Sequence, residues 1–266
     1  MHAMTFMKTR NLSGRCLATA GALALLLALS PPPARAAEVL VAVAANFAEV
    51  IDTLEPVFED TSGHVLRVSV GSTGKLYAQI KAGAPFHVLL AADQERPARL
   101  LAEGNAVAGS RFTYAVGRLT LWRADAGRIG NDPVATLLDD DVRYIAIANP
   151  DLAPYGAAAR EVLGSLGVSD RIAAKTVMGQ NIGQTFSMVA TGNAQLGLVA
   201  LSTVLSPRNP QPGSRWDVPA DLHAPIRQDA VLLNAGADNP AALAFLAFLQ
   251  SAPTRDVMAR FGYGME

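Results

Sequence analysis

Gly71-Ser72-Thr73-Gly74-Lys75 stands between two segments of different period. Before it, His64-Val65-Leu66-Arg67-Val68-Ser69-Val70 alternates and predicts a strand. After it, Leu76-Tyr77-Ala78-Gln79-Ile80-Lys81-Ala82 predicts a helix. The first N–H groups of a helix have no partner of their own, and the helix dipole places positive charge behind them. Such a junction suits an anion. Gly71 and Gly74 remove Cβ atoms that would hold an anion off the backbone, and Ser72 and Thr73 add O–H donors. Read alone, the stretch is more simply a helix cap at Ser72 or Thr73. A nucleotide phosphate loop is excluded, because Ser69 and Leu76 stand where that motif needs a glycine and a hydroxyl residue.

Outward from this junction the same unit recurs. Val39–Ala44 is a continuous apolar run that fits a strand buried on both faces. Asn46 then suits the cap of a helix over Phe47–Asp60. Phe86–Ala91 is a third strand, and a helix over Pro97–Glu103 follows. Three strand–helix units in succession predict a parallel α/β sheet, in which ligands bind beyond the carboxyl ends of the strands. Arg143–Ala148 predicts a further buried strand, followed by Asn149–Gly156 with Tyr155 at a helix start. Thr176–Gln184 repeats that pattern. Arg111–Trp122 reads as one long strand crossing between lobes, and Ile226–Asn234 as the return crossing. Ser206–Pro225, with five prolines, reads as a surface loop. The expectation is two α/β lobes, residues 37–114 with 229–266 and residues 115–228, with no usable internal repeat. Asp139-Asp140-Asp141 has no spaced partner ligands and reads as a solvated helix end.

The N-terminus carries an address. Lys8, Arg10 and Arg15 precede an apolar run of 14 residues, Leu17–Ser30, and Ala34-Arg35-Ala36 is a cleavage pattern. This predicts a secretory signal peptide over residues 1–36, cut after Ala36, and a run too short to span a membrane. Cleavage removes the single cysteine, Cys16, so no disulfide is expected. It also removes four basic residues and no acidic ones, leaving 18 basic against 23 acidic residues and a net charge of −5. That balance disfavours a nucleic-acid or anionic-membrane partner.

Taken in order, Ala44-Ala45-Asn46-Phe47, Gly71-Ser72-Thr73-Gly74, Gly83-Ala84-Pro85 through Ala91-Ala92-Asp93, Asn149-Pro150, Pro154-Tyr155-Gly156, Asn181-Ile182-Gly183-Gln184, Leu196-Gly197-Leu198-Val199 and Phe261-Gly262-Tyr263 resemble the periplasmic molybdate-binding proteins of ABC transporters. The resemblance implies a two-lobed periplasmic-binding-protein fold of type II. Each lobe would be a mostly parallel sheet flanked by helices, with crossing hinge strands. It implies a monomer that closes on molybdate or tungstate and delivers it to a membrane permease. No enzyme activity, cofactor or membrane anchor is implied. By position, Asn46, Thr73 with Ser72 beside it, Tyr155, and Ile182 through its backbone N–H match the oxyanion contacts. These are contacts to oxygen and not metal ligands. Ala45 stands where some members carry a hydroxyl, and Tyr155 matches the branch that takes its phenol from this position. Lys75 is expected to face solvent, so the donor shell would be uncharged. Another tetrahedral oxyanion such as sulfate is the alternative cargo. A periplasmic hydrolase is the less favoured reading: His64, His87 and His223 assemble with no nucleophile, and neither Gly-x-Ser-x-Gly nor His-Glu-x-x-His occurs.

Overall fold

The computed structural model describes residues 36–125 and 129–265, together with residues 1–3 and 5. The expected signal peptide lies almost wholly outside these residues. No helix among the described residues is long and apolar enough to cross a membrane.

In the first half, β1 (Glu38–Ala44) passes through a 3-10 turn (Ala45–Phe47) into α1 (Ala48–Ser62). β2 (Val65–Gly71) leads directly into α2 (Thr73–Lys81), and β3 (Val88–Leu90) into α3 (Glu95–Ala102). β4 (Phe112–Gly117) closes this half and β5 (Leu119–Arg123) opens the next. There follow α4 (Pro133–Leu138), β6 (Ile145–Ala148), α5 (Pro154–Ser165), α6 (Ser169–Ile172), β7 (Thr176–Gly179) and α7 (Ile182–Ala190). Then come β8 (Leu196–Ala200), α8 (Leu201–Val204), β9 (Ser214–Asp217), β10 (Ile226–Leu232), α9 (Pro240–Leu249) and α10 (Ala252–Arg260).

The strands form two five-stranded sheets, ordered β2-β1-β3-β10-β4 and β7-β6-β8-β5-β9. β1 runs parallel to β2 and β3, and β10 runs antiparallel to β3 and β4. In the second sheet β6 runs parallel to β7 and β8, and β5 antiparallel to β8 and β9. The two sheets therefore share one topology. Central strands such as β1, β3 and β6 are apolar on both faces because helices cover both. One core gathers around the first sheet with Phe47, Phe58 and Phe245, and another around the second with Leu121, Ile145 and Val162. Phe58 and Phe245 pack edge to face at 5.4 Å. Each such buried side chain contributes about 1.5–3 kcal/mol.

Three expectations change. Arg111–Trp122 is two strands, because the chain leaves the first sheet at Arg118 and enters the second. The expected division at 114/115 and 228/229 falls inside β4 and β10, which both belong whole to the first sheet. The chain comes back through residues 218–225, so β10 begins after the return. Ser206–Pro225 is not all loop: β9 adds an edge strand through Trp216, which pairs with Leu121. Asp139 ends α4, and no metal-holding cluster of His, Cys, Asp or Glu exists among the described residues.

Candidate functional site

Four helix starts lie at the carboxyl ends of adjacent parallel strands. In the first sheet they are the 3-10 turn after β1 and α2 after β2; in the second, α5 after β6 and α7 after β7. All four contribute to one small hollow. Asn46, Ser72, Thr73, Tyr155 and Ile182 line it, and Ala45 lines it too. All six positions are buried. No charged side chain lines the hollow among the described residues. Lys75 is exposed, as expected.

The backbone supplies the first donors. Thr73, Tyr155 and Ile182 are the first or second residues of α2, α5 and α7, so their amides have no intrahelical acceptor. The described turns and loops supply none either. Pro154 occupies the first position of α5, where its missing N–H costs nothing.

Each hydroxyl oxygen already accepts one backbone N–H. Thr73 Oγ1 accepts from the Ala92 N–H at 3.0 Å. Ser72 caps α2, its Oγ accepting from the Lys75 N–H at 3.4 Å. Neither hydroxyl hydrogen has an acceptor among the described residues, so each can donate to a guest. The cap reading of Ser72 is thus correct, and a cap does not exclude a contact.

Asn46 does not cap α1. It sits inside the 3-10 turn, and the residue before α1 is Phe47, without a side-chain cap. The Asn46 amide Nδ2 donates instead to Gln228 Oε1 at 2.8 Å and to the Tyr263 hydroxyl at 2.9 Å. The Tyr155 phenol lies in the same buried cluster, accepting from Gln228 Nε2 at 3.1 Å. The room for it comes from Gly117, where a Cβ would overlap the phenol oxygen. Burial pushes the Tyr114 and Tyr155 phenols well above the usual range and raises Tyr263 to about 12. The three phenols are therefore neutral donors or acceptors at physiological pH.

The two glycines that drew attention serve other purposes. A Cβ on Gly71 would touch the Leu76 side chain at 3.2 Å, which is packing. Gly74 donates its N–H to Leu152 O at 2.9 Å, across from the first sheet to the second. A Cβ there would stand 3.0 Å from Leu152 O. Beside this contact Arg96 pairs with Asp93 and reaches Asp151 O at 3.3 Å. Burial raises the Asp93 carboxyl, and the Arg96 contacts oppose that shift. These contacts join the loop after β6 to the start of α2 and to α3.

Sequence reasoning missed several contributors. Asn181 lines the hollow and caps α7 by accepting from Gln184 N–H at 2.9 Å. Ala92 positions Thr73, and Gln228, Tyr114 and Tyr263 position Asn46 and Tyr155. Tyr263 lay within a quoted motif, but Gln228 sits in a strand without a local signal. The histidines are structural where bonded: His64 and His87 accept the N–H groups of Ala37 and Leu40.

Two sheets of one topology, facing helix starts and an uncharged donor-lined hollow define a two-lobed solute-binding protein. The chain belongs to the bacterial extracellular solute-binding protein family, whose profile matches residues 39–264. Its relatives are non-enzymatic transport components. The molybdate-binding protein ModA of Azotobacter vinelandii is 49% identical over 233 residues, 88% of this chain and 92% of the relative. ModA of Rhodobacter capsulatus is 46% identical over 252 residues, 95% of this chain and 97% of the relative. The solved periplasmic molybdate-binding protein of Azotobacter vinelandii superposes with a TM-score of 0.82 at 37% identity, covering 86% of this chain and 99% of that one.

Proposed function

We propose that this protein captures molybdate, and tungstate by the same geometry, in the periplasm and delivers it to the permease of an ABC transporter. The observation that carries the reading is the hollow itself, where helix starts from both sheets meet with hydroxyl donors and no charged side chain. Amide and hydroxyl donors aimed at a dianion form charge-assisted bonds, each stronger than a neutral one. The likeness to molybdate-binding relatives supports this cargo. The proposed contacts are Asn46, Ser72, Thr73, Tyr155 and Ile182, with Ala45 at the wall. Tyr155 and Ile182 act through backbone N–H groups. The lobes divide where the strands change sheet, at Arg118 and again within residues 218–225. They part by hinge bending to admit the anion, the protein works as a monomer, and an N-terminal signal peptide cut after Ala36 exports it. Sulfate carries the same charge, so size decides: a smaller anion leaves donors unpaired at about 1–3 kcal/mol each. Calorimetric titration of ligand-free protein with molybdate, tungstate and sulfate tests this. Preference for molybdate and tungstate is expected; a preference for sulfate would overturn it.

A further inference from the structure

Asn46 lines the hollow, yet its side-chain amide is already committed. Nδ2 uses both hydrogens, on Gln228 Oε1 and the Tyr263 hydroxyl, and Oδ1 accepts no hydrogen bond among the described residues. An amide oxygen is an acceptor only, so an oxyanion facing it would be repelled. The residue that decides which end of the amide is used is Gln228. It is fully buried and does not line the hollow. Its Oε1 takes Asn46 and lies 3.0 Å from the Tyr114 hydroxyl, while Nε2 donates to Tyr155. It thereby joins a contact residue of one sheet to a contact residue of the other. The pairing of β10 with β4 slips between Gln228 and Asp229. A bulge of this kind re-aims a side chain. Asp229, next in the chain, accepts from Thr113 and Gln94.

The two ends of an amide occupy the same positions and differ only as donor and acceptor. The same framework therefore supports a second polarity. With both amides turned, Gln228 Nε2 donates to Asn46 Oδ1, and Tyr263 moves its one hydrogen to that oxygen from the Asn46 backbone oxygen, to which it now donates at 2.8 Å. Tyr155 donates to Gln228 Oε1, and Tyr114 donates to Ala91 O, which lies 3.1 Å away. Ser202 continues to donate to the Asn46 backbone oxygen at 3.0 Å. Every buried group stays satisfied, and Asn46 Nδ2 is released to donate into the hollow.

We infer that Gln228 is a positioning residue, and that an oxyanion in the hollow selects the polarity in which Gln228 donates to Asn46 and Asn46 donates to the anion. This rests on the oxyanion-binding reading above. The test is a double-mutant cycle on molybdate Kd in wild type, Gln228→Met, Asn46→Ala and the double variant. Gln228→Met is expected to weaken binding about tenfold or more. The double variant should then bind no more weakly than Asn46→Ala alone, because Gln228 acts through Asn46. Additive losses, or an unchanged Kd in Gln228→Met, overturn the inference. A readout independent of any variant is the side-chain amide resonances of wild-type protein. On adding molybdate both the Asn46 and Gln228 amide signals should shift; a silent Gln228 overturns it even where Gln228→Met fails to fold. A wild type that binds sulfate and not molybdate removes the cargo assignment alone, and the same measurements are then run with sulfate. A wild type that binds none of the oxyanions removes both.

Discussion

Replacing Thr73 by valine keeps the β-branched shape and deletes one oxygen, which holds one bond within the protein and, in the proposed function, a second to the anion. Toward the protein, Oγ1 accepts from Ala92 N–H at 3.0 Å, in a buried setting. Leaving that N–H without an acceptor costs about 1–3 kcal/mol of stability. For a chain of this size each kcal/mol lowers Tm by about 2–4 °C, so ligand-free protein should melt roughly 2–12 °C lower. Toward the hollow, the hydroxyl hydrogen is proposed to meet a dianion. Losing a charge-assisted bond costs about 1.5–3 kcal/mol, or roughly ten- to hundredfold in Kd. The two losses are read by different instruments: differential scanning calorimetry of the ligand-free variant, and isothermal titration with molybdate. Thr73→Ser keeps both bonds and should change neither by more than about 1 kcal/mol. A valine variant that melts lower yet binds molybdate as wild type does would show that Thr73 only tethers Ala92.

Gly74→Ala should hinder closure, because its Cβ would meet the Leu152 backbone at 3.0–3.2 Å. Overpacking of about 1–3 kcal/mol that exists only in the closed form should speed ligand release about five- to hundredfold, measured by stopped-flow fluorescence; an unchanged off-rate would remove this contact from the closing step. Alkaline unfolding is the second expectation. Burial raises Tyr263 to about 12 and holds Tyr114 and Tyr155 well above 10, so between about pH 10 and 12 the unfolded chain loses phenolic protons that the folded chain keeps. Their contribution is fully present below pH 10 and is lost as pH rises through that window. Stability to urea measured from pH 8 to 12 should fall accordingly, and a flat profile would contradict the burial of these phenols.

What could be read from the chain was local, and what could not was pairwise. The junction at Gly71–Lys75 announces itself because period and composition change within five residues. The same holds at Pro154-Tyr155 and Asn181-Ile182, where a proline or a capping residue marks a helix start. Gly74 was recognised as a close approach, but the approaching group is Leu152, nearly eighty residues further on, which only folding brings there. Asn46 looked like a cap because asparagine caps helices; Gln228 and Tyr263 compete for its amide, and no pattern within a few residues of Asn46 reveals them. β9 was hidden because it lies in a proline-rich segment and pairs with β5 across ninety residues. The likeness between the two sheets leaves no usable repeat in the sequence, because topology fixes which strand ends carry the site and leaves the side chains free to differ.

The arrangement of lone pairs explains how an uncharged shell can favour a dianion over a protonated one. Each hydroxyl at the hollow already accepts one backbone N–H, Thr73 from Ala92 and Ser72 from Lys75, and keeps its hydrogen for a guest. Each helix-start amide can only donate. The Asn46 amide at the wall is held by a glutamine that can take either end of it. With the Asn46 oxygen turned inward onto Gln228 and Tyr263, each of these groups can offer the hollow a hydrogen, and each side-chain oxygen is already engaged by the protein. A guest that still carries a proton would then face donor against donor, leaving a buried hydrogen unpaired at about 1–3 kcal/mol. Selectivity for full ionisation needs no lysine or arginine. It follows from where the protein has placed its own acceptors.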